Sequence, residues 1–379
     1  MNINFLKGRV IMDKIKYLDS ILDKKNIQAI IITDGYNIHY YSGYKGHTGC
    51  MFITKGKQYI LTDSRYTEQV SIEAPDFICV DIKSKGYGST LRDIIDDLVS
   101  EKDYISDASR LCVGFENKHI SYNQYNIFKE KLEDIAELVH LDEEINGLRK
   151  IKTQDEIDKI AMAEAIGDKA FEHIIEFIQE GMTEKEIALE LEYTMKQLGA
   201  EGLSFDTIAA SGPNSSLPHA IPTDRKVENG DFITLDFGCV YKGYCSDMTR
   251  TLLVGDEMES KKINVYTTVL KAQREALKMI KPGVKCSDVD ACARNIIKEA
   301  GYGEYFGHGL GHSVGLFIHE EPRLSSKCDD ILEPGMVVTV EPGIYLPGEF
   351  GVRIEDLVVV TEDGYLNLTS SPKELICLC

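Results

Sequence analysis

The sequence predicts two domains, a small α/β domain over residues 1–145 and an α+β domain over residues 146–379. The 379 residues, 43% of them hydrophobic, are enough to give each domain a core of its own. The first part alternates helical stretches with short β-rich runs. The second groups its helices and strands without strict alternation, which is typical of an α+β fold. A rise in charge density near residue 145 marks the predicted boundary.

Residues 12–140 have the pattern of a small α/β domain. A helical pattern begins at Met12, and four β-rich runs follow at residues 29–32, 50–53, 58–61 and 77–80. For residues 1–11, which precede this pattern, we expect either a disordered extension or an upstream start codon.

Four helices are predicted in the second domain. Two begin at capping boxes, in which a threonine side chain and a glutamate three residues later bond each other's backbone N–H groups. The third is broken by a Pro-Gly pair, and the fourth ends at a glycine. These helices follow Thr153, follow Thr183, span residues 263–280, and run from a Ser287 cap to Gly301.

Strands in the second domain are predicted at four β-rich runs, at residues 232–237, 244–253, 337–340 and 357–360. Strands grouped apart from helices favour an antiparallel sheet with helices on one face. The second domain is therefore predicted to have the α+β architecture.

The composition limits the classes of partner. The formal net charge is −20, from 42 Lys and Arg against 62 Asp and Glu, so the protein repels nucleic acid and anionic membranes. The longest apolar runs have the length of a strand rather than of a membrane span. Ten cysteines form no CxxC pair, which indicates reduced thiols and a cytoplasmic location.

The stretch DFGCVYKGYCSDMTR, residues 236–250, predicts a hairpin with an aspartate in each strand. Folding about Tyr241 and Lys242 would place Asp236 directly opposite Asp247 on one face. Two carboxylates in close contact repel by roughly 4 kcal/mol at an effective dielectric constant near 20. Three ordinary explanations stay open: a different register, a protonated aspartate, or exposure of both side chains at a strand end.

A metal centre would turn this repulsion into binding energy. Three more candidate ligands follow in the chain next to glycines: His312 in GHGLGHSVGL, Glu341 in VVTVEPGIY and Glu355 in GVRIEDLVVV. Four carboxylates balance the charge of two divalent ions. Oxygen ligands with one nitrogen and no sulfur favour Mn²⁺, with Co²⁺ or Zn²⁺ as alternatives.

The stretch HGLGHSVGLFIHE, residues 308–320, together with the aspartate pair, EPG and RIED, resembles the metal-dependent "pita-bread" aminopeptidase family. Within it, the chain is most similar to the Xaa-Pro aminopeptidase and prolidase branch. NIHYYSGYKG at 37–46 and TDSRYTEQ at 62–69 extend the resemblance into the N-terminal domain. It implies a C-terminal pita-bread catalytic domain preceded by a smaller, creatinase-like α/β domain.

The resemblance implies two divalent metal ions and a role for each ligand. Asp236 would bind one metal, Asp247 and Glu355 would bridge both, and His312 and Glu341 would complete one coordination sphere. A metal-bridging hydroxide would attack the scissile carbonyl. Glu341 would also transfer the proton.

Three further residues, His219, His319 and Arg353, match family positions around the substrate, and His308 lies in the glycine-rich turn. His219 and His319 would stabilise the carbonyl oxygen or hold the peptide. Arg353 would contact substrate, and its alternative role is a charge partner for the acidic site. His308 has a substrate-side role and a structural role as equal alternatives.

The resemblance implies an Xaa-Pro aminopeptidase that acts on proline-containing peptides and forms a homodimer. An Xaa-Pro dipeptidase with the same site is the alternative. A non-catalytic relative that binds peptides or proteins is a remote alternative, because all five metal ligands are present. A methionine aminopeptidase would not need the N-terminal domain, and a creatinase would lack the metal ligands.

Overall fold

The computed structural model describes residues 3–46, 48–100, 110–141, 143–256 and 259–378. The chain divides into two compact units, Met1–Leu148 and Arg149–Cys379. The first helix begins at Ile3, so the extension expected before Met12 is mostly helical. Residues 1 and 2 of that predicted extension lie outside the described residues.

The first unit is an α/β structure built on a six-stranded mixed sheet. Its strand order is β4-β3-β2-β1-β5-β6, with β1 and β2 antiparallel and β1 and β5 parallel. The four predicted β-rich runs form β1 to β4. The elements are α1 Ile3–Lys25, β1 Ala29–Ile32, α2 Gly35–Ser42, β2 Cys50–Thr54, β3 Lys57–Thr62, α3 Thr67–Glu73, β4 Ile78–Asp81, α4 Gly86–Ser100, β5 Leu111–Glu116, α5 Tyr122–Leu132 and β6 Ala136–Leu141.

The second unit contains two pairs of helices and the remaining strands. Its helices are α6 Gln154–Phe177, α7 Glu184–Gln197, α8 Ser260–Met279 and α9 Cys286–Glu299. Its strands are β7 Gly202–Leu203, β8 Ile208–Ser211, β9 Phe232–Phe237, β10 Cys239–Tyr241, β11 Tyr244–Cys245, β12 Met248–Val254, β13 Gly311–Ser313, β14 Glu320–Leu324, β15 Val337–Val340, β16 Gly343–Leu346, β17 Phe350–Arg353, β18 Asp356–Val360, β19 Tyr365–Asn367 and β20 Cys377–Leu378. Short 3₁₀ helices lie at Gly147–Lys150, which crosses the boundary between the units, and at Gly212–Ser216 and Gly303–Tyr305.

Each helix pair of the second unit packs on its own sheet. Helices α6 and α7 share a core with the sheet of order β20-β12-β9-β8, through residues such as Ile166, Leu191 and Leu235. Helices α8 and α9 share a core with the sheet of order β14-β13-β15-β18-β19, through residues such as Val265 and Val338. The predicted α+β architecture is confirmed, with helices covering antiparallel sheets.

Both predicted capping boxes are present. The Thr153 side chain caps α6 with Glu156, and Thr183 caps α7 with Glu186. The predicted Ser287 cap is wrong, because α9 begins one residue earlier, at Cys286. The Cys286 N–H donates to the Asp330 carbonyl at 2.9 Å, so a distant loop fixes this helix start.

The hairpin containing the two aspartates forms in a different register from the predicted one. Asp236 pairs with Thr249, not with Asp247. Lys242 and Gly243 both have positive φ, 48° and 84°, and occupy the two central turn positions, as in a type I′ turn. The turn therefore lies one residue later than predicted, and the pairing moves by two. Because side chains alternate, a shift of two keeps both aspartates on one face.

Among the described residues, no helix combines the length and the apolar character that a membrane crossing requires. The cysteines in the described part of the chain are free thiols. Cys239 and Cys245, on the hairpin, are buried, and burial raises the pKa of each thiol to about 12.

Candidate metal centre

The residues predicted for the site all line one cavity in the second unit, with a volume of about 640 Å³. This volume is in the range of small-molecule sites. The predicted residues in its wall are His219, Asp236, Asp247, His308, His312, His319, Glu341, Arg353 and Glu355.

The five predicted metal ligands are positioned by strands of both larger sheets. Asp236 lies in β9 and His312 in β13. The other three lie next to strand ends: Asp247 just before β12, Glu341 directly after β15 and Glu355 directly before β18. The two sheets therefore contribute ligands to one centre, although Asp236 and Glu355 are more than 100 residues apart in the chain.

Two buried threonines link the ligand strands. The Thr249 hydroxyl donates to Glu355 Oε2 at 2.6 Å, and the Glu355 N–H donates to the Thr249 carbonyl at 3.1 Å. The Thr339 hydroxyl accepts from the His312 N–H at 3.1 Å and donates to Glu341 Oε1 at 3.4 Å. Each threonine thus fixes side chains that approach the centre from different segments.

The ligand atoms converge as a metal site requires. One ligand atom each of Asp247, His312 and Glu355 lie within 4.8 Å of one another. His312 Nε2 is 3.4 Å from Asp247 Oδ2 and 3.5 Å from Glu341 Oε1. Asp236 Oδ1 and Glu355 Oε1 are buried and have no hydrogen-bond partner within the described chain. Unpartnered buried carboxylate oxygens are costly, so this donor set fits divalent cations.

Burial raises the pKa values of three of these carboxyl groups. The pKa of Glu341 is raised to about 8 by burial, against the opposing charge of Arg353. The pKa values of Asp247 and Glu355 are also raised well above their usual range, by burial first and by neighbouring carboxylates second. Cations in the centre would favour the ionised forms of these groups.

His312 is held neutral with one ring nitrogen directed at the centre. Burial, followed by the charge of His319, lowers its pKa to about 3. Its Nδ1–H donates to the Ser313 carbonyl at 3.2 Å, so Nε2 carries the lone pair that faces Asp247 and Glu341. This tautomer is the one a metal ligand needs.

A chain of hydrogen bonds runs from Asp236 to His308. Arg353 donates to Asp236 Oδ2 at 2.6 Å and to the Tyr345 hydroxyl at 2.8 Å. The Tyr345 hydroxyl lies 2.9 Å from His308 Nε2, while His308 Nδ1–H donates to the Gly309 carbonyl at 2.8 Å. Arg353 therefore forms an ion pair with the acidic site, as its alternative role requires, and its substrate contact stays a prediction.

Tyr345 and Arg323 are cavity residues that the sequence analysis missed. Tyr345 lies two residues beyond the EPG motif. Because side chains alternate along β16, the sequence could have placed Tyr345 on the same face of the strand as Gly343. Arg323 lies in β14, four residues after His319, which directly precedes this strand. An even spacing between the arginine and the histidine was the signal that could have placed both on one face. Neither residue belongs to a metal-ligand pattern.

The histidines around the cavity occupy different environments. The ring of His319 lies edge-on to that of His312, with centroids 4.6 Å apart, and burial followed by the charge of Arg323 lowers the His319 pKa. His219 is exposed at the cavity wall and makes no hydrogen bond with any described residue. Its ring nitrogens are therefore available to a ligand.

Gly311 allows the ligand strands to approach closely. A Cβ atom at this position would lie 2.0 Å from the Thr339 carbonyl oxygen, far inside van der Waals contact. The neighbouring Gly307 has open space around it. Glycine at 311 is thus required by packing beside His312.

Comparison with known proteins places this geometry in a family. Residues 158–362 match the model of metallopeptidase family M24, and residues 14–151 match the creatinase/prolidase N-terminal domain. The Xaa-Pro dipeptidase of Pyrococcus furiosus is 39% identical over 96% of this chain and 99% of its own length.

Two solved structures have the same fold over nearly their whole length. An Xaa-Pro dipeptidase from Bacillus anthracis is 42% identical, covers 97% of this chain and 100% of its own, and superposes with a TM-score of 0.89. An X-Pro aminopeptidase from Thermotoga maritima is 39% identical, covers 93% and 98%, and has a TM-score of 0.82. The predicted pita-bread domain with a creatinase-like N-terminal domain is confirmed, and the chain belongs to metallopeptidase family M24.

Proposed function

We propose that this protein is an Xaa-Pro dipeptidase, which hydrolyses the bond between a first residue and a C-terminal proline. The proline bond is a tertiary amide without an N–H group, so it requires a dedicated site. The observation that favours a dipeptide is the unpaired guanidinium of Arg323 in the cavity wall.

Arg323 suits the carboxylate of a C-terminal proline. Its side chain is half-buried and makes no hydrogen bond or ion pair with the described part of the chain. Its charge acts on His319 and on Glu341, so it lies close to the proposed reacting groups. In a dipeptide the carboxylate is one residue from the scissile bond, whereas a longer peptide has a neutral amide there. Arginine pairs strongly with carboxylates.

The named relatives also favour the dipeptidase. The sequence resemblance favoured the aminopeptidase, and the comparisons do not confirm that choice, because relatives at 39% and 42% identity are named Xaa-Pro dipeptidases. An Xaa-Pro aminopeptidase is the second candidate function, because the similar Thermotoga maritima structure is named an X-Pro aminopeptidase. Homodimer formation and Mn²⁺ as the metal stay predictions.

We assign the metal-holding role to Asp236, Asp247, His312, Glu341 and Glu355. The carboxylate oxygens and the neutral imidazole described above form a donor set suited to divalent ions. When bound, such ions supply Lewis-acid chemistry that activates water and polarises a carbonyl.

The remaining residues position the substrate and handle protons. Glu341, with its carboxyl group beside the Thr339 hydroxyl, is proposed to move the proton at its Oε atoms. His219 and His319 are proposed to donate hydrogen bonds to the carbonyl oxygen as it gains charge. Arg353 neutralises Asp236 and orients Tyr345.

Substrate length and terminal charge test the proposal. Gly-Pro, Gly-Pro-amide, Gly-Pro-Ala and a longer proline peptide are assayed with Mn²⁺, Co²⁺ and Zn²⁺ in turn. Gly-Pro should be cleaved with the highest kcat/KM. Arg323→Gln should lower kcat/KM for Gly-Pro by about 10- to 100-fold, as expected for a charged hydrogen bond, while hardly affecting Gly-Pro-amide.

Arg274→Gln is the matched control, because this exposed arginine pairs with Glu374 on the surface of α8. It should leave all four rates unchanged. Preference for Gly-Pro-Ala would refute the dipeptidase and favour the aminopeptidase. An equal loss on Gly-Pro and its amide in Arg323→Gln would refute the contact between Arg323 and the substrate carboxylate.

Two further variants separate metal binding from substrate binding. Asp247→Ala should remove metal and activity together, because its carboxylate lies among the converging ligand atoms. His319→Ala should lower turnover and leave the metal content unchanged. Metal analysis of both purified variants checks this, and retention of two metal equivalents by Asp247→Ala would contradict the assigned ligand set.

A further inference from the structure

We propose that Glu184 is a positioning residue for His219. Glu184 is the first residue of α7, and the His219 segment, residues 211–223, passes over the start of that helix. The inference rests on the role of His219 in the proposed function. It assigns a task to a carboxylate that lies outside the metal centre and the cavity wall.

Glu184 accepts five hydrogen bonds, all from the His219 segment. Its Oε1 accepts from the Ser211 N–H at 2.6 Å and from the Ser211 hydroxyl at 2.8 Å. Its Oε2 accepts from Asn214 Nδ2 at 2.8 Å, the Thr223 N–H at 2.9 Å and the Thr223 hydroxyl at 2.7 Å. One carboxylate therefore ties together the two ends of the segment, with His219 between them.

The environment of Glu184 makes these bonds strong. Its exposed fraction is 0%. A buried carboxylate without donors would cost several kcal/mol, and charge-assisted hydrogen bonds are about twice as strong as neutral ones. The N-terminus of α7 also favours a negative charge. The helix itself is anchored in the core through Ile187, Leu191 and Met195, so Glu184 is a fixed point.

His219 depends on its own main chain for its position, because its ring has no hydrogen-bond partner among the described residues. The segment is tied on its other side to the β16–β17 hairpin region. Arg353 Nη1 donates to the Pro218 carbonyl at 3.3 Å, and the Gly351 N–H donates to the Ser215 hydroxyl at 2.9 Å. The imidazole is thus placed by a loop held between Glu184 and the strand that carries Arg353.

Glu184→Gln should loosen the segment without changing its shape greatly. An amide retains one acceptor oxygen, and its NH₂ group would face donors from Ser211 or from Asn214 and Thr223. We expect kcat for Gly-Pro to fall about 10- to 100-fold, since misplacing a reacting group by 1 Å has effects of that size. KM should change less, and the metal content should stay the same.

Glu186→Gln is the matched control, because Glu186 caps the same helix through Thr183 and makes no hydrogen bond with the described residues of the His219 segment. It should lower the melting temperature slightly and leave kcat unchanged. If Glu184→Gln fails to fold, Thr223→Val provides a milder test, since it removes one of the five donors. A loss of about 3- to 10-fold is expected for it.

A double-mutant cycle with His219→Ala tests whether Glu184 acts through His219. Glu184→Gln should reduce kcat in the parent enzyme and have no further effect in His219→Ala. The same fold-loss in both backgrounds, or no loss in the parent while His219→Ala is impaired, would overturn the inference alone. A normal rate for His219→Ala would instead refute the proposed role of His219, and with it the premise.

Discussion

Raising the pH should destabilise the metal-free protein, and a bound divalent metal should abolish that effect. Glu341, Asp247 and Glu355 all have raised pKa values in the folded, metal-free state. A group whose folded pKa is raised contributes stability that is fully present below its unfolded pKa and is lost as pH rises through its folded pKa. For Glu341 this window runs from 4.5 to about 8.

The size of the effect follows from the proton that the folded state retains. Between about pH 6 and pH 8, one group that is ionised when unfolded and protonated when folded changes the unfolding free energy by roughly 2–3 kcal/mol. For a unit of this size, each kcal/mol shifts the melting temperature by roughly 2–4 °C. The metal-free protein should therefore melt about 5–10 °C lower at pH 8 than at pH 6.

Scanning calorimetry with EDTA and with excess Mn²⁺ measures this difference. Glu341→Gln should reduce the pH dependence of the metal-free protein, because one of the three groups with raised pKa values is gone. Glu362→Gln, at an exposed position, is the control and should keep the parent slope. A metal-free melting temperature that is constant or rises over this range, or an unchanged slope in Glu341→Gln, would refute the reasoning.

Two further predictions concern residues that support the site. Lys152 is buried and forms an ion pair with Glu320 at 3.3 Å, so Lys152→Met should lower the unfolding free energy by about 3–5 kcal/mol. Lys185→Met is the control, because Lys185 forms an exposed ion pair, and calorimetry should detect no loss of stability in it. Gly311→Ala should weaken metal binding and lower kcat/KM by at least about 10-fold, because its methyl group would push apart the strands beside the metal ligands. Gly307→Ala, with open space around it, should match the parent in metal titration and kinetics, and a normal Gly311→Ala enzyme would contradict the packing argument.

Local signals allowed several elements to be predicted from sequence, and non-local contacts limited the rest. The capping box at Thr153 depends only on side chains within one helical turn, so its sequence pattern was sufficient. Ser287 has the right residue type for a cap, but the start of α9 is fixed by the Asp330 carbonyl, from a loop more than 40 residues away. A single-sequence pattern contains no information on such a contact.

The same distinction applies to the candidate site. Residue chemistry and a family resemblance brought together the ligands that line the cavity, including His312 and Glu355. The supports of those ligands were not predicted. Thr249, Thr339 and Glu184 are ordinary polar residues in sequence, and their importance appears only when distant strands and loops meet.

The observed hairpin register places the acidic side chains more favourably for the metal-free protein than the predicted register would. In the predicted register Asp236 and Asp247 face each other directly, whereas in the structure Asp236 is opposite Thr249. A diagonal pair is about 7–8 Å apart at the backbone, compared with about 4.5–5.5 Å for a direct pair. In the observed register the Thr249 hydroxyl donates to Glu355, and Arg353 donates to Asp236. The shift of two residues therefore weakens the repulsion between the aspartates and preserves their common face, on which metal binding depends.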